Sequence, residues 1–590
     1  MEKWILCPEP RRMDFQSGFY HLSDDEAGQV WNFTVGESLP RGFRFRQDRG
    51  NGLPDWYRLE TGAQGVVISA ASEKTVIIAL QTVRQILSAT GGLLPRGTIE
   101  DWADFAVRAV MIDISRDRVP TLDTLKKLID HFSSWKYNQL QLYTEHTFAY
   151  RGHEEVWKEA SPFTPEEISL IVAYSEERGM EVVPNQNSFG HMERWLKHGP
   201  YHHLAESPGG FEDPWGVFRP ESSTLSPVVP EALEFLEGLY DQILPLYHSD
   251  FLNVGGDEPW ELGKGRSRLA CENRGLDRVY FDFILKLHAL AQKKGKKIQI
   301  YGDIIMNYPD LVKELPRDLV LVNWGYEKDH PFEKECPLLA EAGLPFYVCV
   351  GTSAWNSLGG RWGNARANIL KGAREGKING ASGFMISEWG DNGHWQQFPV
   401  ALPGFLLGAA AAWNPGAAES FDSVGQLACH VFDGDRGMAE AVLLLGEVWE
   451  KSNRALHNVS LPFLLLADPV YPYYRRDYPH FRNHRFDGEE ELLNQAQALI
   501  DGSEKKDPLS AAEIQFTLDL LSHACRLGRL QMATPDLLIR QIAGGERKQL
   551  HSELELLMER YQKLWLLRSR PGGLKDSLGR LEQLRDSYLS

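Results

Sequence analysis

The sequence predicts an α/β protein built on a (β/α)8 TIM barrel, preceded by a small α+β domain and followed by an α-helical C-terminal domain. Three observations carry this. Between Val107 and about Trp413, eight short β-rich runs alternate with longer amphipathic ones. Before that stretch, strand-like runs sit among Gly and Pro turns. After Pro415 the strand signals fade and apolar residues recur at helical spacing. Eight strand–helix units over about 300 residues fit such a barrel with modest loop insertions. An open doubly wound sheet fits less well, because no Gly-rich phosphate loop opens the first helix. The boundaries implied are 1–98, 99–415 and 416–590.

In order along the chain, Val66-Val67-Ile68 and Val76-Ile77-Ile78 read as strands of the small domain, which closes on a helix from Leu80 to Ser88. The barrel strands read at Val107–Ile114, Leu140–Tyr143, Val182–Val183, Phe251–Val254, Ile298–Tyr301, Leu319–Val322, Phe346–Val350 and Phe384–Ile386. Helices between them read at 122–135, 165–178, 232–244, 279–292 and 367–374. The last domain reads as helices over 426–449, 489–501, 511–530 and 550–567, the last of them running into the turn Pro571-Gly572-Gly573. Val470-Tyr471-Pro472-Tyr473-Tyr474 reads as a loop packed between domains.

Composition narrows the function classes. A hydrophobic fraction of 43% with 24% charged residues describes an ordinary globular protein. A formal net charge of −18 argues against nucleic acid or an anionic membrane as partner, and no run has the length of a membrane span. The 17 tryptophans are many, and indoles offer flat apolar faces to sugar rings. Six scattered cysteines without metal-ligand spacing suit a reducing compartment, and the apolar run after Met1-Glu2-Lys3-Trp4 is too short for a secretion leader. The expectation is a cytoplasmic protein without a cofactor or metal.

Chemistry in this fold sits at the C-terminal ends of the strands. There the sequence places Arg108 and Asp113 and then Arg116 of the first strand, Thr144-Glu145-His146, Asn185 to His191, Asp257-Glu258, Tyr301-Gly302-Asp303, Asn323-Trp324-Gly325, the loop around Trp355, and Glu388-Trp389-Gly390-Asp391. Carboxylates and indoles around one mouth supply what a sugar needs, polar partners for hydroxyls and an aromatic wall for the apolar ring face. The most informative element is Val254-Gly255-Gly256-Asp257-Glu258-Pro259. Adjacent side chains on a strand end point to opposite faces. Two carboxyls in different environments titrate apart, giving an acid and an anion. Taken alone, the same residues also describe an exposed acidic turn.

Several motifs in barrel order resemble the family 20 glycoside hydrolases, the β-N-acetylhexosaminidases. They are Arg108-Ala109-Val110-Met111-Ile112-Asp113-Ile114-Ser115-Arg116 on the first strand, Lys136-Tyr137-Asn138 before the second, Gly255-Gly256-Asp257-Glu258 on the fourth and Trp389-Gly390-Asp391 on the last. The resemblance covers about the first 415 residues. It implies an enzyme removing terminal β-linked GlcNAc or GalNAc from an oligosaccharide or glycoconjugate, with the substrate's 2-acetamido oxygen as nucleophile. It further implies Glu258 as acid and base, Asp257 as the group orienting the acetamide, and Arg108 and Asp391 on ring hydroxyls. His191 would support the acid, while Trp324, Trp389, Tyr301 and Trp355 would wall the acetamido pocket. Ala109, Asn185, Phe189, Asn253, Glu145 and Asp391 depart from the usual pattern, and the family's acetamide-binding tyrosine has no counterpart in the 351–358 loop. Two other readings stand beside this one: a glycan-binding barrel without turnover, and a metal-dependent hydrolase using His146, His191 and Asp257. The surplus apolar faces of the helical domain predict a homodimer through it, which light scattering would read as twice the chain mass of 66.9 kDa.

Overall fold

The computed structural model describes residues 5–589 apart from 453 and 455, so Met1–Trp4 lies outside the described residues. The N-terminal part folds as a five-stranded sheet in the order Arg12–His21, Leu93–Asp101, Tyr57–Gly62, Gly65–Ala70, Phe43–Gln47. One long helix, Glu73–Thr90, packs its Val76, Ile77, Leu80, Val83, Ile86 and Leu87 against it. Val76-Ile77-Ile78 therefore lies within the first two turns of this helix and is not the strand its β-branched residues predict. Ser72 accepts the Thr75 N–H to cap the helix, and burial of the run overrides its propensity.

Eight parallel strands follow: Val107–Asp113, Gln139–Tyr143, Glu181–Val183, Phe251–Asn253, Lys297–Tyr301, Val320–Trp324, Phe346–Gly351 and Gly383–Glu388. Every barrel strand read from the sequence is present. The eighth pairs back to the first, and an Asn185–Asn253 bridge joins the third to the fourth, closing the barrel. The barrel carries a polar knot in its interior. Gln141 Nε2 donates to Gln299 Oε1 (2.7 Å), and the amides of Asn185 and Asn253 donate to Gln141 Oε1 at 3.2 and 3.0 Å. Asn253 Oδ1 also accepts the Gly255 N–H at 2.9 Å. Asn185 and Asn253 thus act beneath the mouth, where cross-strand hydrogen bonds between polar side chains fix a single strand register.

The barrel floor meets the N-terminal sheet through two buried cations. Lys136 Nζ donates to Asp101 Oδ2 and the Tyr57 hydroxyl, both at 3.0 Å, and lies 4.4 Å from the centre of the Trp413 ring. Arg108 occupies the second position of the first strand, at the N-terminal end of the barrel. Its guanidinium pairs with Asp55 (2.6 Å), donates to the carbonyls of Lys136 and Phe105, and stacks on Trp413. This corrects the sugar contact expected of it, because a strand opens at one end of the barrel and delivers its ligand-binding residues at the other.

The C-terminal part is helical, with long helices over Asp487–Gly502, Pro508–Met532 and Gly544–Arg568. The single helix predicted over 426–449 is two, Ser423–His430 and Arg436–Leu445. Asp433 and Gly434 take positive φ between them, and Asp435 caps the second by accepting the Met438 N–H. A further helix, Leu574–Ser587, follows the Pro-Gly turn. Much of the apolar surface of this region is used within the chain. Trp565 is buried with Arg118 of the barrel over its ring (4.5 Å), and Arg570 pairs with Glu167 of the barrel at 2.6 Å. Leu556, Leu566, Leu567 and Leu589 remain exposed.

Candidate active site

The mouth of the barrel opens into a cavity of about 1500 Å³. The fourth strand ends at Asn253, so Asp257 and Glu258 lie on the loop beyond it and strand alternation does not govern them. Gly255 (φ 71°) and Gly256 (φ 93°) turn the chain, and a Cβ at Gly255 would collide with the Asn187 side chain. Glu258 itself holds a left-handed φ of 45°, an unusual conformation for a non-glycine residue. Its N–H donates to Asp303 Oδ2 at 3.2 Å. This turn brings both carboxylates to one imidazole, with His191 Nε2 3.2 Å from Asp257 Oδ2 and 3.5 Å from Glu258 Oε2. Gly190 makes the approach possible, since a Cβ there would strike the Asp257 carbonyl.

The environments of the pair nevertheless differ. The Asp257 side chain is 9% exposed and that of Glu258 33%. Burial pushes the Glu258 carboxyl up to about 7; His191 opposes this and the Asp257 charge adds to it. Glu258 is therefore a proton donor near neutrality. Burial alone would hold His191 low, but the charge of Asp257 and its hydrogen bond outweigh it and raise the imidazole to about 9. Burial, Asp257 and Glu258 together push the Asp303 carboxyl upward. Asp257 Oδ1 is buried with no partner among the described residues. An orphan acceptor in a cavity wall invites a ligand N–H, since leaving it unpaired costs about 1–3 kcal/mol.

Next to this group stands Arg116, just past the first strand, with its Nη2 3.4 Å from His191 Nδ1. It reaches Asp113 at 3.1 Å, Asp391 at 3.2 Å and Glu145 at 3.4 Å, and lies 4.9 Å from the ring centres of both Tyr143 and Trp389. Asp113 stays below the pocket, accepting the Gly390 N–H at 3.0 Å and so tying the eighth strand's loop to the first. Burial raises the carboxyls of Glu145 and Asp391, with Arg116 opposing. The aromatic wall is continuous. Trp324 stacks on Tyr326 (5.2 Å), and Tyr326 meets Trp355 and Trp389 edge-on at 5.2 and 6.4 Å. Tyr301 completes the lining at the end of the fifth strand.

Of the residues singled out from the sequence, Asp257, Glu258, His191, Tyr301, Trp324, Trp355, Trp389 and Asp391 meet in this cavity and Arg108 does not. Arg116 and Tyr326 also line the cavity, and the sequence reading gave neither a role there. The strand-end rule does place Arg116, which follows the first strand where Arg108 begins it, but the family motif assigned the contact to Arg108. Tyr326 follows Trp324 by two residues in a loop, where no periodicity marks it. The Tyr471–Tyr474 segment does pack between domains, and it also lines the cavity. The ligands of a metal reading do not converge, because His146 is buried outside the cavity lining. Among the described residues no group of three or more His, Cys, Asp or Glu is placed to hold a metal ion. The two arginines separate in a direct test. Arg116→Met should weaken ligand binding in this cavity by at least about tenfold, as expected when a charged contact is lost. Arg108→Met should leave kcat nearly intact and lower Tm, because it strands Asp55 beside a broken ion pair, a cost of up to about 3–5 kcal/mol.

A (β/α)8 barrel with a carboxylate pair after its fourth strand and an indole-lined pocket at its C-terminal face defines a class of proteins, the barrels built to process glycosides. Two family models match in sequence order: Glycosyl hydrolase family 20, domain 2, over residues 31–102, and Glycosyl hydrolase family 20, catalytic domain, over residues 105–355. The chain belongs to glycosyl hydrolase family 20. It is 25% identical over 276 residues to a beta-hexosaminidase of Akkermansia muciniphila, covering 42% of this chain and 55% of that one. To a beta-hexosaminidase of Vibrio furnissii it is 26% identical over 305 residues, covering 46% and 49%. The chain thus spans about half the length of these curated relatives. Among solved structures, the chitobiase of Flavobacterium johnsoniae shares the fold with a TM-score of 0.58 at 16% identity, covering 95% of this chain and 99% of that one. An exo beta-N-acetylglucosaminidase of Vibrio harveyi in complex with N-acetylglucosamine gives 0.57 at 15% identity, covering 75% and 78%.

Proposed function

We propose that this protein is a retaining exo-β-N-acetylhexosaminidase that removes terminal β-linked GlcNAc or GalNAc by substrate-assisted catalysis. The observation that carries the reading is the division of labour at the pair. A carboxyl poised near neutrality, Glu258, sits beside a buried carboxylate with one orphan oxygen, Asp257 Oδ1, and an indole-walled pocket faces both. Glu258 donates its proton to the leaving oxygen as the acetamide carbonyl oxygen attacks the anomeric carbon from the opposite face. The C1–O bond breaks and an oxazolinium forms. Asp257 accepts the acetamide N–H at Oδ1 and balances the positive charge that develops. Glu258, now a carboxylate, takes a proton from water, whose oxygen attacks C1 and reopens the ring with overall retention.

Arg116 and Asp391 bind the outer ring hydroxyls, and Glu145 accepts from them or holds Arg116. Trp324, Trp355, Trp389, Tyr301 and Tyr326 enclose the acetamido group, whose methyl needs an apolar box. His191 orients Asp257 through its Nε2 contact at 3.2 Å. The names of the relatives support the reaction, and that of the Vibrio harveyi exo beta-N-acetylglucosaminidase supports the exo mode. The six cysteines are all free, which supports a cytoplasmic home. A panel of chromogenic β-glycosides that differ at C2 and C4 tests the reading.

A further inference from the structure

The two residues assigned to the outer ring hydroxyls sit on turns of unusual backbone. Arg116 is followed by Asp117, which holds a left-handed φ of 67°. Asp391 is followed by Asn392 (φ 58°), Gly393 (φ 116°) and His394 (φ 52°). Non-glycine residues rarely adopt this conformation, and it persists where the surroundings over-determine it. Both turns therefore need to be held.

The helical domain holds them. Its last helix, Leu574–Ser587, starts against the first turn, where a Cβ on Gly573 would strike the Asp117 carbonyl oxygen. On that helix Arg580 Nη1 pairs with Asp117 Oδ2 at 2.7 Å, while Arg580 Nε donates to the Tyr471 hydroxyl at 3.1 Å. Ser577, one turn earlier, reaches the second turn and donates its hydroxyl to the Gly393 carbonyl. Trp395 Nε1 donates to the Ser577 carbonyl at 3.3 Å. From the preceding long helix, the Tyr561 hydroxyl donates to the His394 carbonyl at 3.1 Å. The segment after His191 meets the same point, since Arg194 pairs with Asp117 at 3.3 Å and with Asp576 of the last helix at 3.1 Å. Asp117 and Ser577 are buried, and Arg580 lines the cavity. Between the two clamped turns, Arg116 Nε lies 3.2 Å from Asp391 Oδ1.

We propose that Arg580, Ser577 and Tyr561 are positioning residues, through which the helical domain sets the placement of Arg116 and Asp391 and so decides how the site recognises the C4 and C6 hydroxyls of the terminal sugar. The role rests on the hydrolase reading above and on the hydroxyl contacts given there to Arg116 and Asp391. None of the three touches the reacting atoms. A small shift suffices, because a misplacement of about 1 Å caused far from the chemistry costs up to about 10²-fold.

The test compares kcat/KM on a chromogenic β-N-acetylglucosaminide with that on its 4-deoxy and 6-deoxy analogues. The leaving group and the acetamide are the same in all three, so a change in the parent-to-deoxy ratio between variants reads the hydroxyl contacts. The wild type should favour the parent. Arg580→Met on one turn and Ser577→Ala on the other should each lower the ratio for at least one analogue by about tenfold, the loss of one well-placed hydrogen bond to a charged group. Arg580→Lys, which keeps a cation facing Asp117, should recover part of it. Arg526→Met breaks a pair with Glu546 (2.7 Å) inside the helical domain, and it should lower Tm while leaving the ratio unchanged. If Arg580→Met does not fold, Ser577→Ala decides. A ratio unchanged in the Arg580 and Ser577 variants, or lowered equally by Arg526→Met, would overturn the proposal and leave the hydrolase reading standing. A wild type indifferent to both hydroxyls would overturn the proposal together with the contacts given to Arg116 and Asp391. A wild type that turns over none of the three would refute the hydrolase reading, and the proposal with it.

Discussion

Glu258→Gln should lose about 10²–10⁴-fold in kcat/KM on substrates with poor leaving groups, the span that general acid–base catalysis contributes. The glutamine keeps the shape and the N–H to Asp303 but has no proton to give. Activated aryl glycosides, whose leaving groups depart with little protonation, should lose much less at the first step. The pH profile supplies a second signature. Burial raises the Glu258 carboxyl to about 7, so the acid form predominates below that pH and is lost as pH rises through it. Wild-type kcat/KM on poor leaving groups should therefore decline above about pH 7, and the glutamine variant should lack this limb. A uniform small loss across leaving groups, with the limb retained, would remove Glu258 from the role of acid.

Asp257→Asn should lower kcat by about 10²–10³-fold, the scale of removing one preorganised electrostatic contact to a developing charge. Ground-state binding should change little, because the carboxylate acts chiefly when the oxazolinium forms. A thiazoline mimic of that intermediate should inhibit the wild type strongly and the variant weakly. The same substitution takes away the charge and hydrogen bond that hold His191 up to about 9, so the imidazole should titrate at lower pH when followed by NMR. Equal thiazoline inhibition of both proteins would contradict the role given to Asp257, whatever the loss in rate.

The barrel was legible because each strand is a short apolar run bounded by turns, and eight of them in sequence admit few architectures. The small domain was less so. Val76-Ile77-Ile78 has the residues of a strand, and only the Ser72 cap and burial under the sheet make it a helix. At the site, local motifs announced Asp257 and Glu258, and the strand ends announced the indoles. The sequence could not show that a left-handed turn at Glu258, and not strand alternation, sets the two carboxyls around His191. Arg108 and Arg116 stand in one motif, eight residues apart in number and at opposite ends of the barrel in space. The part of the site contributed by the helical domain was hidden for a plainer reason. Tyr471 and Arg580 approach Asp117 across more than 350 residues of chain, a contact no local pattern encodes.

The central claim is that the substrate's own acetamide performs the nucleophilic step, and the panel of β-glycosides tests it most directly. With the same chromogenic leaving group throughout, only the C2 and C4 substituents of the sugar change. The account predicts rapid hydrolysis of the 2-acetamido sugars and a rate on the plain 2-hydroxy glucoside lower by orders of magnitude, since neither Asp257 nor Glu258 is assigned to attack carbon. Hydrolysis of the glucoside at a rate equal to that of the N-acetylglucosaminide would contradict it.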